Sequence, residues 1–176
     1  MSIEQLIDDN VRQIPDWPVA GVTFRDITPL CLDPDVLRRI NRALVEAAGP
    51  MGPVDAVLGI EARGFIFAPT LALALGAGFV PVRKEGKLPA DTIDASYELE
   101  YGVATIEIHT DALHAGDRVL IMDDVLATGG TMKASAQLVA KAGASVAGFV
   151  TIMELAGLNG RSQLGNTPVT SLRVYG

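Results

Sequence analysis

The chain has 176 residues, of which 49% are hydrophobic, so it is long and apolar enough to bury one domain's core and is not a disordered polypeptide. Its 21 acidic residues outnumber its 14 basic ones, and the net charge of −7 disfavours a nucleic-acid partner or an anionic membrane surface. The single cysteine, Cys31, excludes an intrachain disulfide and fits a reducing cytosol, so a cytoplasmic protein is expected.

The elements follow in chain order. No basic segment with an apolar core opens the sequence, so no signal peptide is expected. Ile3, Leu6, Ile7, Val11 and Ile14 share one face of an amphipathic helix over Ser2–Ile14, with Ser2 and Gln5 as a capping box and Pro15 as its stop. Residues 16–22 read as a loop. Thr23-Phe24-Arg25-Asp26 sets an aromatic beside an arginine, a pair that can stack a flat base and contact an anion. In isolation the same residues read as a packed phenylalanine beside a solvated Arg–Asp pair. A helix is expected over Asp35–Ala48, buried through Leu37, Ile40, Leu44 and Val45 and stopped by Gly49 and Pro50.

The short apolar run Ala56–Ile60 reads as a central parallel strand. Glu61-Ala62-Arg63-Gly64 then leads into a helix over Phe65–Leu75. Arg63 can grip a pyrophosphate with two parallel hydrogen bonds, or pair with Glu61 at the surface. The uncharged stretch from Phe65 to Val82 is long enough to span a membrane, but Pro69, Gly76, Gly78 and Pro81 break it. It reads instead as a buried helix, a glycine turn and a strand over Phe79–Val82. Arg83-Lys84-Glu85-Gly86-Lys87-Leu88-Pro89 follows, with three basic residues in an otherwise acidic chain. Alternation of apolar residues over Thr92–Tyr101 and Val103–Thr110 predicts a hairpin around Gly102. His109 and His114 have neither nucleophile nor metal set near them and read as surface histidines. Beyond the stretch Val119–Lys141, a strand is expected over Ser145–Glu154, a polar loop over Leu158–Pro168 and a last strand over Val169–Val174.

Val119–Lys141 carries the chemistry. Val119–Met122 reads as a buried strand, Asp123 and Asp124 stand where it stops, and Ala127-Thr128-Gly129-Gly130-Thr131 opens a helix over Met132–Lys141. Glycines let backbone amides approach a ligand closely, and the first amides of a helix favour an anion by roughly 0.3–1 kcal/mol. Thr128 and Thr131 add hydroxyl donors, so the loop suits a phosphate monoester. Asp123 and Asp124 would repel such a dianion and suit ribose hydroxyls instead. The sequence Val119–Thr131 resembles the phosphoribosyl pyrophosphate (PRPP) signature of the type I phosphoribosyltransferases, in the form carried by the branch that acts on adenine. It is neither a Walker loop nor a dinucleotide fingerprint.

That resemblance has consequences. It implies a twisted, mostly parallel α/β sheet with helices on both faces, forming a single domain over 1–176 with a hood segment over about 1–30 and a hairpin lid over about 92–108. The substrates implied are PRPP and adenine, giving AMP and pyrophosphate. Mg²⁺ is held mainly by substrate oxygens and water, with no protein residue assigned to it. Glu100, Arg63 and Tyr101 are the catalytic candidates. Thr23, Phe24 and Arg25 fall on the base. Glu61, Ala62, Arg83, Lys84 and Lys87 fall on the pyrophosphate, with Glu61–Ala62 as a peptide bond expected to be cis. A homodimer is also implied. Two other readings stand beside this one: the same chemistry on another base, such as hypoxanthine or xanthine, and a PRPP-sensing regulator without turnover. The regulator would need a DNA-binding domain or a basic face, which an acidic chain of this length does not suggest.

Overall fold

The computed structural model describes residues 1–98 and 102–176 and divides into two compact units, Met1–Ala43 and Leu44–Gly176. Leu99, Glu100 and Tyr101 therefore lie outside the described residues.

In the first unit, helix α1 spans Ile3–Asn10, with the Ser2 hydroxyl accepting from the Gln5 amide as its N-cap. The helix expected to reach Ile14 stops here. Val11 is already extended, and Arg12–Ile14 (β1) pairs antiparallel with Phe24–Asp26 (β2). The chain reverses between them through a cis Trp17–Pro18 bond and a left-handed Asp16. Val11 and Ile14 suited a helical face over so short a window, but a partner strand claimed the backbone of Arg12–Ile14 instead. A short helix α2, Thr28–Leu32, was not expected either. Helix α3, Pro34–Ala48, carries the division between the units.

The second unit is built on a seven-stranded sheet. Its strands are β3 (Ala56–Ile60), β4 (Gly78–Lys84), β5 (Thr92–Glu98), β6 (Val103–His109), β7 (Arg118–Leu126), β8 (Ser145–Leu155) and β9 (Val169–Tyr175), in the order β5-β6-β4-β3-β7-β8-β9. Strands β4, β3, β7, β8 and β9 run parallel; β5 and β6 form an antiparallel hairpin, β6 pairing with the end of β4. Helices α4 (Gly64–Leu75) and α5 (Gly130–Lys141) cover the two faces. Leu58, Ile60, Val82 and Ile121 share one buried cluster with Leu138 and Val139 of α5. The intervening Gly59 turns to α4, where a Cβ would stand 2.7 Å from Ala68 Cβ. The expected mostly parallel α/β sheet with helices on both faces is the one observed, and the Ala56–Ile60 strand falls on its predicted residues.

One boundary matters for the site. The strand expected to stop at the two aspartates continues through them to Leu126. Pairing with β8 explains the extension: Asp123 faces Thr151, Val125 faces Met153 and Leu126 faces Glu154. The segment expected as a polar loop, Leu158–Pro168, contains a 3₁₀ turn, Gly160–Leu164, and a second one, Ala156–Leu158, ends at its first residue.

Candidate active site

Strands β3, β4 and β7 are parallel, so the loops that follow them open at the same edge of the sheet. Ligands of such sheets bind beyond these carboxyl ends. A cleft of about 370 Å³ lies there, lined by Glu61, Ala62 and Arg63 from the end of β3 and by residues from Asp123 to Met132. Its volume is in the range of small-molecule sites. Most of the residues picked out by sequence thus meet in one cleft: Glu61, Ala62, Arg63, Asp123, Asp124, Ala127, Thr128, Gly129, Gly130 and Thr131. The Glu61–Ala62 peptide bond is cis.

Gly129 caps α5 in a left-handed conformation (φ +84°) that a side chain would strain, and its carbonyl accepts the Lys133 amide. The helix therefore points its first amides at the loop. Thr128 and Gly130 also border a second recess, shared with Ser96, Tyr97 and Glu98 of β5 and with Lys133 and Gln137 of α5.

The two aspartates differ. Asp124 is buried, at 2% exposure, and its Oδ2 lies 2.6 Å from Arg63 Nε. Arg63 itself is 42% exposed, so the pair joins a buried carboxylate to a guanidinium on the cleft wall. Asp123 Oδ1 accepts the Asp124 amide at 2.9 Å. Burial pushes both carboxyls above the usual aspartate range. For Asp123 the adjacent Asp124 charge adds to this, whereas for Asp124 the Arg63 guanidinium opposes it.

The basic segment joins the cleft through carboxylates. Glu61 Oε2 accepts from Arg83 Nε and from the Lys84 amide, both at 2.9 Å. Chiefly the Lys84 amide, with the Arg83 guanidinium and against burial, holds the Glu61 carboxyl below its usual value. Buried Glu107 on β6 accepts the amides of Lys87 and Leu88 at 3.0 and 3.1 Å and so shapes the turn that carries Lys87. Glu107 had no signal in the sequence beyond a charged residue among the apolar ones of β6. Arg83, Lys84 and Lys87 stand next to Glu61 or Glu107 but do not line the first cleft. In the first unit, Phe24 and Arg25 sit on β2, with Thr23 just before it, and Trp17 meets the Phe24 ring edge-on at 4.4 Å between centroids. Glu100 and Tyr101 fall outside the described residues.

A parallel sheet that ends in an acid pair and a glycine loop defines a class, and the family model for the phosphoribosyl transferase domain matches residues 33–167. An adenine phosphoribosyltransferase of Thermobifida fusca is 52% identical over 172 residues, covering 97% of this chain and 96% of its own. The crystal structure of adenine phosphoribosyltransferase from Thermoanaerobacter pseudethanolicus superposes with a TM-score of 0.94 at 45% identity, covering 99% of this chain and all of that one. That of Saccharomyces cerevisiae, solved with an imino-altritol bisphosphate and adenine, gives 0.91 at 43% identity over 97% of this chain and 98% of that one. The chain belongs to the adenine phosphoribosyltransferase family.

A carboxyl whose folded pKa is raised favours the folded state below its ordinary value, near 3.8 for Asp123, and that contribution is lost as pH rises through the raised value. Asp123→Asn is therefore expected to raise the melting temperature at pH 7.5 without ligand. The gain should shrink toward pH 4. Calorimetric scans at both pH values check this, and an equal or lower melting temperature at pH 7.5 would contradict it.

Proposed function

We propose that the chain is a purine-salvage enzyme that transfers the 5-phosphoribosyl group of PRPP to adenine, giving AMP and pyrophosphate. The observation that carries this reading is the single cleft that joins a helix-capping glycine loop, a buried acid pair and the Glu61–Arg63 turn. PRPP has matching parts in that order: a monoester, ribose hydroxyls and a pyrophosphate.

In this reading Ala127–Thr131 takes the 5′-phosphate on backbone amides and the Thr128 and Thr131 hydroxyls. Asp123 and Asp124 accept from the ribose hydroxyls. Breaking the bond at C1′ builds positive charge on the ribose, which the two carboxylates face, and negative charge on the departing pyrophosphate. Arg63, with Arg83, Lys84, Lys87 and the amides near Glu61 and Ala62, stabilises that leaving charge without reorganising. Thr23, Phe24 and Arg25 are assigned to the base, on the family resemblance. Glu100 exchanges a proton with a ring nitrogen of adenine as N9 attacks, and Tyr101 orients the base edge or pyrophosphate through its hydroxyl. Lid closure over about 92–108 excludes water, which would otherwise trap the ribosyl cation.

The donor set fits Mg²⁺ bound through substrate. Asp124 is engaged by Arg63 and Asp123 by the next amide, which leaves substrate oxygens and water as the principal ligands. Bound there, the ion would neutralise pyrophosphate charge. We further assign the chain to the cytoplasm and to a homodimer. Among the described residues no helix is long and apolar enough to cross a membrane. For the dimer, the support is the family resemblance and the outward apolar side chains Ile66, Phe79 and Leu73, the last 81% exposed. The single-domain reading with a hood over about 1–30 belongs to the same proposal.

Product analysis with PRPP, Mg²⁺ and a panel of adenine, hypoxanthine, xanthine and orotate tests the function. AMP and pyrophosphate in equal amounts from adenine alone are expected; a nucleotide from another base, or PRPP binding without turnover, would replace the reading. In the same assay Glu100→Gln should lower kcat by about 10²-fold, the typical scale for a proton-transfer group, with little change in the KM for PRPP. An unchanged kcat would remove Glu100 from the mechanism.

A further inference from the structure

The phosphate loop has a second backbone pressed against it. A Cβ at Gly160 would stand 2.2 Å from the Ala127 carbonyl oxygen and 3.0 Å from the Gly129 nitrogen. A Cβ at Gly129 would in turn stand 2.5 Å from the Gly160 carbonyl oxygen. Both glycines are buried, so the 3₁₀ turn Gly160–Leu164 touches Ala127–Gly129 directly, with no side chain between them.

That turn is anchored by a fork. Arg161 donates from Nε to Glu154 Oε1 at 2.8 Å and from Nη2 to Glu154 Oε2 at 2.7 Å, while Nη1 reaches the Val169 carbonyl at 2.9 Å. Ser171 Oγ donates to Glu154 Oε2 at 2.7 Å, and Thr151 Oγ1 donates to Ser171 Oγ at 2.9 Å. Glu154 is 5% exposed and lies opposite Leu126 in the β7–β8 register, one residue before the loop begins. Lys133 Nζ adds a bond to Gln163 Oε1 at 3.2 Å, tying the turn to the first turns of α5. The fork to Glu154, the bond to the Val169 carbonyl and the bond from Lys133 therefore all hold the turn whose first residue, Gly160, presses on the loop. Arg161 and Glu154 do not line the cleft.

We propose that Gly160 and the Arg161–Glu154 pair are positioning residues, which hold the backbone of Ala127–Gly129 in the shape that receives the 5′-phosphate. This rests on the reading of Ala127–Thr131 as the phosphate loop. A bidentate Arg–carboxylate pair fixes direction as well as distance, which is what a loop that binds through amides requires. Their loss acts on the phosphate-bearing ligands and spares adenine, whereas a merely structural role would weaken both.

Gly160→Ala, Arg161→Gln and Arg161→Lys in the full chain test this, with Gly129→Val alongside. Calorimetry gives the affinity for AMP, kinetics give the KM for PRPP and for adenine, and a melting scan reports the fold. Gly160→Ala and Arg161→Gln are expected to weaken AMP binding and raise the KM for PRPP by about tenfold or more, the scale of a small misplacement of a binding group. The KM for adenine should stay within about twofold, and Arg161→Lys, which keeps the charge but not the fork, should fall between Arg161→Gln and the parent. If Arg161→Gln does not fold, Gly160→Ala and Arg161→Lys carry the same comparison. Parent-like AMP affinity in these variants, or equal rises in both KM values, would overturn the proposal. Gly129→Val separates the two levels. If it loses AMP while the other variants keep it, the phosphate loop stands and only this inference fails; if it binds AMP like the parent, the phosphate-loop reading fails first.

Discussion

The cleft depends on an asymmetry in how β7 is paired. On one side, β3 accompanies it only as far as Gly59 opposite Met122. On the other, β8 accompanies it to Glu154 opposite Leu126. Four residues, Asp123 to Leu126, thus run on as strand with a neighbour on one side alone, over about 13 Å at the usual rise. On the side that β3 leaves, the Glu61–Arg63 turn and the end of β7 face each other across the cleft. Shortening the β8 pairing would let the two aspartates and the glycine loop fall away from the sheet edge. Extending β3 would fill the space a substrate needs.

Electrostatics follow from the same placement. Strand backbone carries Asp124 into the sheet, where its charge would be expensive alone, and the Arg63 guanidinium offsets that cost from the cleft wall. For Asp123 the same guanidinium is the weakest influence, outweighed by burial and by the Asp124 charge, and the carboxyl is pushed further toward its neutral form. Two like charges on adjacent residues are a poor choice for stability and a reasonable one for binding a sugar that becomes cationic. The chain is net negative, yet its ligand is anionic in the proposed reaction. The imbalance is met locally. Glu61 holds Arg83 and Lys84 beside the β3 loop, and Glu107 on β6 holds the turn that carries Lys87.

Much of this was legible before any coordinates. Buried strands such as Ala56–Ile60 announce themselves as short apolar runs, and the glycine loop between an acid pair and a helix pattern marks an anion site by local chemistry. What escaped was set by partners distant in sequence. Arg12–Ile14 became a strand because β2 lay beside it, not because of its own period. Asp123 and Asp124 looked like a strand end, since charge usually closes an apolar run, until β8 carried the pairing through them. The Gly160–Leu164 turn read as polar loop because nothing local links Arg161 to Glu154, seven residues away, or Gly160 to Ala127. The roles of Glu100 and Tyr101 follow from the family resemblance of the segment before Gly102.

The central claim is that the backbone of Ala127–Thr131 grips the phosphate of the substrate. Amide hydrogen exchange with and without saturating AMP tests it most directly, because it reads those amides one by one. Marked slowing is expected at Ala127–Thr131 and at Met132 in the first turn of α5. Exchange at these residues that AMP leaves unchanged, with slowing elsewhere, would contradict it.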